Sequence, residues 1–415
     1  MRRVEEAVTD ILTALTPLAA EAVDLRDAVG RVSAEAVRAP GALPPFDNSA
    51  VDGYAVCLAD VATARPDAPV RLTLLGECPA GPRREVPSLV AGAAYRIMTG
   101  APLPPGCEAV VMREDTLEAP DHVQILASAE GGENLRRAGE DVQPGQLVMP
   151  VGTAVTPAHV ALLSGLGLTR VQVVRRPRVA LIATGDELVW PDQPLLPGQI
   201  RAASAWALEA LVVAAGGVPL QWGIVGDRPE DLQALFARAD EVDLILTTGG
   251  VSVGDHDRVR EVLAAVGRVD FWRIDMQPGK PLAFGHLGKT PVIGLPGNPV
   301  SSLVGFSLFA RPAIRCLAGQ RQCLPPPLQA RLREAHRKTA SRRQYLRARV
   351  QWSSEGFLVE LSTRQGSHQL SGLAWGNALA VLPEGPHDYL AGEAVEVLLM
   401  EELEAYAGSD PDPQR

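Results

Sequence analysis

The chain has 415 residues, 46% of them apolar and 21% charged, with a formal net charge of −10 at pH 7. That length exceeds a single compact core and predicts roughly two to four domains, while the acidic balance excludes an extended nucleic-acid surface as the main business of the molecule. An anionic ligand would need a local basic pocket, and lysine is scarce enough (Lys280, Lys289 and Lys338 only) that one inside a motif stands out.

The first 45 residues read as an acid-interrupted amphipathic helix, a strand-like piece near 31–37 and a proline-rich exit. The helix lacks the apolar centre of a signal peptide. From 46 to 135 short alternating runs (Gly53-Tyr-Ala-Val, Val70-Arg-Leu-Thr-Leu-Leu, Ala94-Tyr-Arg-Ile-Met, Ala109-Val-Val-Met, His122-Val-Gln-Ile-Leu) predict an inserted β module. Residues 136–175, with a helix from Pro157 and a strand at Val171–Val174, rejoin the N-terminal segment as one discontinuous α+β domain.

Between 176 and 325 strands alternate with helices: Arg178–Ala183, Val218–Val225, Asp243–Thr248, Asp270–Ile274 and Pro291–Leu295, separated by helical stretches near 204–215, 229–239, 258–266 and 299–311. Such interleaving predicts an α/β domain with a mainly parallel sheet, its ligands at the carboxyl ends of the strands. After Pro325-Pro-Pro, residues 326–405 return to alternating runs and read as a second β module, and 406–415 as a disordered tail. No uninterrupted run of 18 apolar residues occurs, so no membrane span is expected. The five cysteines are odd in number and without a C-x-x-C pair, which reads as reduced thiols in a cytoplasmic protein.

The stretch Asp243-Leu-Ile-Leu-Thr-Thr-Gly-Gly-Val-Ser-Val-Gly-Asp-His-Asp257 is a strand, a glycine turn and a helix start. Backbone N–H groups in such a turn, with the helix N-terminus behind them, can hold a phosphate, and Asp255 and Asp257 beside it call for a cation such as Mg²⁺. A ligand-free βα turn fits the glycines equally well. Other loops carry polar groups open to the same two readings. Asp47 and Asp52 lie in Phe46-Asp-Asn-Ser-Ala-Val-Asp-Gly-Tyr, which also reads as a hairpin turn, and Thr99 in Ile97-Met-Thr-Gly-Ala-Pro reads as a self-capping hydroxyl. Asp186 and Glu187 follow the first central strand, where Asp186 also suits a helix cap. Pro278-Gly-Lys-Pro braces Lys280 as an anion ligand, and Leu295-Pro-Gly-Asn-Pro-Val-Ser fixes a loop through Pro296 and Pro299. No nucleophile elbow, Walker A lysine or dinucleotide fingerprint is present.

In this order those motifs, with Ala138-Gly-Glu-Asp-Val between them, resemble the molybdopterin molybdenumtransferase (MoeA) family and the related E domain of gephyrin over about residues 5–400. The resemblance implies an elongated multidomain subunit with a central molybdopterin-binding α/β domain, flanking all-β and mixed α+β domains and a C-terminal β-barrel. It implies an enzyme that inserts molybdate into adenylated molybdopterin with release of AMP, using Mg²⁺. It also implies a homodimer that shares its active site and receives substrate from a molybdopterin adenylyltransferase; a non-catalytic scaffold with the same fold is the alternative. Carried over by motif, Asp52, Thr99, Asp141 and Glu187 are the catalytic candidates, with the first three completing the partner's site. Asp227 and Asp257 hold the cation, Gly249, Gly250 and Ser252 form the nucleotide nest, Pro296 and Pro299 border it, and Lys280, Arg347 and Ser367 form the molybdate pocket. Departures from the family pattern are Val51 for a methionine, Gln277 for a second lysine, and Ala202-Ala203 where an acid and an asparagine are usual nearby.

Overall fold

A computed structural model describes residues 1–82, 87–226, 228–250 and 258–400 of the chain. The tail expected to be disordered, 406–415, lies outside the described residues. At the centre is a sheet of β1 (Arg178–Thr184), β2 (Val218–Val225), β3 (Leu244–Thr248), β4 (Arg268–Trp272), β5 (Ala283–Leu287) and β6 (Thr290–Leu295), in the spatial order β2-β1-β3-β6-β5-β4. Strands β2, β1, β3 and β6 are mutually parallel. Helices α1 (Ala203–Ala214), α2 (Pro229–Phe236), α3 (Arg258–Val266) and α4 (Pro299–Leu317) cover the two faces.

Alternation along the strands decides which face each residue serves. Val179 and Leu181 of β1 and Leu244 and Leu246 of β3 enter one core with Leu208 of α1 and Val300 of α4. Their neighbours Ala180, Ile182 and Ile245 enter the opposite core with Leu232 of α2 and Val262 of α3. The sequence reading contains no strand at β5, which runs antiparallel to both β4 and β6. Its Ala-Phe-Gly-His-Leu run is interrupted by Gly285, a glycine imposed by the neighbouring strand: an added Cβ would lie 2.1 Å from the Arg268 carbonyl oxygen. Helix α4 extends past the expected end near 311 to Leu317, and its apolar window, long enough to cross a membrane, is 78% buried in this core.

The N-terminal helix, Val4–Thr13, packs on the central layer, where Val4, Ala7, Val8 and Ile11 share the α4 core. The strand-like piece expected near 31–37 contributes only isolated bridges at Val32 and Ser33; the strands are Ala20–Asp24, paired with Arg170–Val174, and Val37–Arg38, paired with Leu147–Met149. Ala-Glu-Ala-Val-Asp is too exposed at its start to show an apolar alternation. In the inserted β module the five expected strands form one sheet, joined by a sixth, Thr116–Glu118.

The C-terminal strands close into a barrel. Arg343–Ser353 pairs with Gly356–Leu361, which pairs in parallel with Leu328–Leu332; Ala394–Leu399 and Ala378–Leu382 complete the circuit back to Arg343–Ser353. Met276–Gln277, just before the Lys280 turn, adds in parallel to Arg343–Gln344. This bridge ties a loop of the central layer to the barrel.

Candidate active site

A cavity of about 430 Å³ opens at the carboxyl ends of β1, β3 and β6, where loops of a parallel sheet gather. Thr184, Gly185 and Glu187 after β1, Thr248, Gly249 and Gly250 after β3, and Pro296, Gly297, Asn298 and Pro299 after β6 line it, with Arg201 and residues 202–204 on another side. Glycine is required at the floor. Gly249 and Gly250 have φ of 87° and 63°, and a Cβ on Gly249 would lie 2.5 Å from the Thr184 carbonyl oxygen. Gly249 N–H donates to Leu295 O at 3.1 Å, and the Thr184 hydroxyl donates to Thr248 O at 3.2 Å, locking the three loops together.

Two helices begin at this cavity. Neither Ala202 before α1 nor Asn298 before α4 caps the following backbone N–H groups with its side chain, so the N-terminal partial positive charge of both helices is left for a ligand. Exposed Arg201 adds a full charge, its guanidinium braced on Pro191 O and Gln193 O. One carboxylate, Glu187, lines the cavity, and Asp186 precedes it in the chain. Glu187 folds over Gly185, with Oε2 2.5 Å from the position a Cβ would take there, and Asp186 Oδ1 stands likewise 2.4 Å from a Cβ on Gly226. Asp227, Ser252 and Asp257 lie outside the described residues, as do Asp255 and His256. Among the described residues no group of three or more His, Cys, Asp or Glu forms a metal cluster. Hard oxygen donors at 186, beside Gly226, and at 187, over Gly185, suit Mg²⁺.

Lys280 is not in the cavity lining, although the next residue, Pro281, is. Its carbonyl accepts from Ile274 N–H at 2.9 Å and, among the described residues, its ammonium makes no ion pair. Arg347 is 1% exposed. One arm donates to Arg364 O at 2.6 Å and Gly366 O at 3.2 Å, Gln365 Oε1 accepts from the Arg347 N–H, and Nε has no partner. Burial pulls its pKa down. Most of the guanidinium therefore shapes the loop that carries half-buried Ser367 instead of facing solvent.

Asp52, Thr99 and Asp141 do not line this cavity. Asp52 Oδ1 accepts from both the backbone N–H and the hydroxyl of Thr99, each at 2.7 Å, and these bonds hold its carboxyl below the usual carboxylate range. Both residues are exposed, as is Asp141, whose N–H donates to Leu43 O. Asp47 is tied to Arg137 and the Ala138 N–H, which fixes the loop leading to Asp141.

Three family models match the chain in succession. They are the MoeA N-terminal region (domain I and II) over 2–167, a probable molybdopterin binding domain over 180–316 and the MoeA C-terminal region (domain IV) over 329–400. A protein of Mycobacterium tuberculosis named molybdopterin molybdenumtransferase 2 is 38% identical over 407 residues, covering 96% of this chain and 99% of that one. The chain belongs to the MoeA family. A molybdopterin molybdenumtransferase of a Nostoc species is 39% identical over 91% of this chain and 88% of its own. The crystal structure of the MoeA protein of Pyrococcus horikoshii superposes with a TM-score of 0.83 at 30% identity, covering 96% of this chain and all of that one.

Within this MoeA chain one of the departures falls at the cavity. Ala202 and Ala203 line it, followed by buried Ser204, and Arg201 beside them is the functional candidate that the sequence reading left out. Its only signal was position, immediately before a helix that starts without a capping residue. Gln277 is exposed and pairs with Gln344 on the barrel, and Val51 packs beside Cys78 and Tyr95.

Proposed function

We propose that the chain is a cytoplasmic molybdopterin molybdenumtransferase that inserts molybdate into adenylated molybdopterin and releases AMP. The cavity supports this most: a glycine floor, two uncapped helix N-termini and Arg201 offer donors to a diphosphate, with carboxylates placed for its counter-ion. Water adds to phosphorus, the bond to the bridging oxygen breaks, and AMP leaves. Backbone N–H groups at Gly250 and at the starts of α1 and α4 bind phosphate oxygens over the floor that Gly249 forms, and Glu187 orients the diphosphate. Asp227 and Asp257 would hold Mg²⁺, which would supply charge neutralisation to the diphosphate when bound. Lys280 and Ser367, on the loop that Arg347 holds, receive molybdate, which needs cationic and hydroxyl donors.

In the same reading the domains are 1–45 with 136–175, 46–135, 176–325 and 326–405. Asp52, Thr99 and Asp141, outside their own chain's cavity, complete the site of the second subunit of a homodimer, and a molybdopterin adenylyltransferase supplies the substrate. Purified protein incubated with adenylated molybdopterin, Mg²⁺ and molybdate should release AMP, followed by chromatography. Binding of the adenylated pterin with no AMP formed would leave a scaffold in place of an enzyme.

A further inference from the structure

The connection between the central layer and the barrel carries two cysteines that the proposed chemistry does not use. Cys316 sits in the last turn of α4, and Cys323 follows after the chain has turned back on the helix end. Gly319, with φ of 84°, allows the reversal; its N–H donates to Cys316 O at 2.9 Å, and Gln320 N–H donates to Arg315 O at 3.0 Å. The turn is held from outside as well. A Cβ on Gly319 would lie 2.6 Å from Val174 Cγ2, and Arg321 lies across Gly152, where an added Cβ would be 2.8 Å from Arg321 Cγ. The reversal brings the Cys323 thiol to Gln320 O, at 3.2 Å, and into hydrogen-bond contact with the thiol of Cys316. Both side chains are half-buried and free, so a small reagent can reach them.

We propose that Cys316 and Cys323 are a reversible dithiol–disulfide site that exchanges with low-molecular-weight disulfides. The Cys316 thiolate attacks one sulfur of the small disulfide, forming a mixed disulfide and expelling one small thiolate. Cys323, giving its proton to that thiolate, then attacks Cys316 Sγ, closes the internal bond and expels the second small thiol. Two protein thiols are oxidised and one small disulfide is reduced to two thiols.

The two cysteines differ in the way this order requires. The hydrogen bond from Cys323 brings the Cys316 thiol down to about 7, whereas sharing that proton and burial push Cys323 up. Burial raises the other three, Cys107 to about 11, so they are poorer nucleophiles. The pair also lies at a joint: Cys316 ends the second family match, and Cys323 falls between it and the third, five residues before the barrel strand at Leu328 leaves the proline linker. Closing the bond ties that linker to the helix whose other end borders the cavity.

The full-length protein is incubated with oxidised glutathione, free thiols are alkylated, and the chain is cut with trypsin. Peptides 316–321 and 322–331 should appear as one disulfide-linked species, the chain losing two of its five titratable thiols, with dithiothreitol restoring them. Recovery of the two peptides separately, alkylated or each carrying glutathione, overturns the proposal. In Cys323→Ser, glutathione should remain attached to peptide 316–321; its absence overturns the assigned order of attack.

Discussion

The central cavity and the Asp52–Thr99 pair are built on opposite principles. The cavity is made mostly of backbone: glycines, helix ends and carbonyls interlock, and the two helices that start there carry no side-chain cap. Asp52 and Thr99 are side chains already bonded to each other, standing exposed just past the adjoining ends of two paired strands, Gly53–Val56 and Ala93–Ile97, away from that cavity. One region is receptive and the other presents a finished group outward, which is the arrangement expected if the two meet across a dimer.

The sharpest way to break that pairing is complementation. Asp52→Ala and Glu187→Ala should each lower AMP release by about 10²-fold or more if the lost carboxylate acts on the reacting groups. Co-expressed, the two inactive chains form mixed dimers with one intact site, and random pairing predicts about a quarter of wild-type activity. A mixture no better than either variant alone would place both residues in one chain's site, against the geometry described above.

Next in size is the cavity floor. Gly249→Ala meets both a left-handed φ and the Thr184 carbonyl, and should cost about 2–5 kcal/mol in a denaturant titration. Gly167 has a similar φ of 80° with nothing within 4 Å of an added Cβ, so Gly167→Ala should cost only about 1 kcal/mol. Equal losses would mean that the floor is not under the close backbone contact that defines it.

Arg347→Lys and Lys280→Ala divide the barrel side of the site from the central layer. A lysine's Nζ falls one bond short of the Nη2 that holds both carbonyls, and leaving either unsatisfied in a buried setting should cost about 1–3 kcal/mol. Lys280 makes no ion pair among the described residues; its removal should change stability by less than about 0.5 kcal/mol while weakening molybdate uptake. A stable Arg347→Lys protein would return that guanidinium to the role of a free anion donor.

How far these regions could be read from sequence follows from the same contrast. Strands β1 and β3 were legible because short apolar runs mixing leucine or alanine with β-branched residues precede glycines, and the loops after them carry the cavity. Strand β5 was not, since Gly285 is there to let β4 pass and erases the apolar signal. Barrel closure depends on Leu328–Leu332 meeting Gly356–Leu361 in parallel, a non-local pairing that no periodicity announces. Arg347 in Tyr-Leu-Arg-Ala-Arg-Val looked like one half of a polar alternation, yet residues 345–350 are buried on both faces. The Asp52–Thr99 bond joins residues 47 positions apart, so each could be named as polar and neither as the other's partner.

The smallest effect tests whether that bond sets the charge of Asp52. Thr99→Val removes the hydroxyl donor and keeps the backbone N–H, so one of the two bonds that hold the Asp52 carboxyl low is lost and its pKa should rise toward the ordinary aspartate value. Because the folded-state pKa is the lower one, the bond contributes stability above the unfolded pKa and loses it as pH falls through the folded pKa. The variant should therefore differ from the parent in stability near neutral pH and converge with it once pH has fallen below the parent's folded pKa, where both carboxyls are protonated. An NMR titration of the Asp52 carboxyl follows the shift directly. An unmoved pKa would assign the depression to the backbone N–H and to Arg113 and Arg96 nearby, and Asp52 would then hold its charge in the partner's site without help from Thr99.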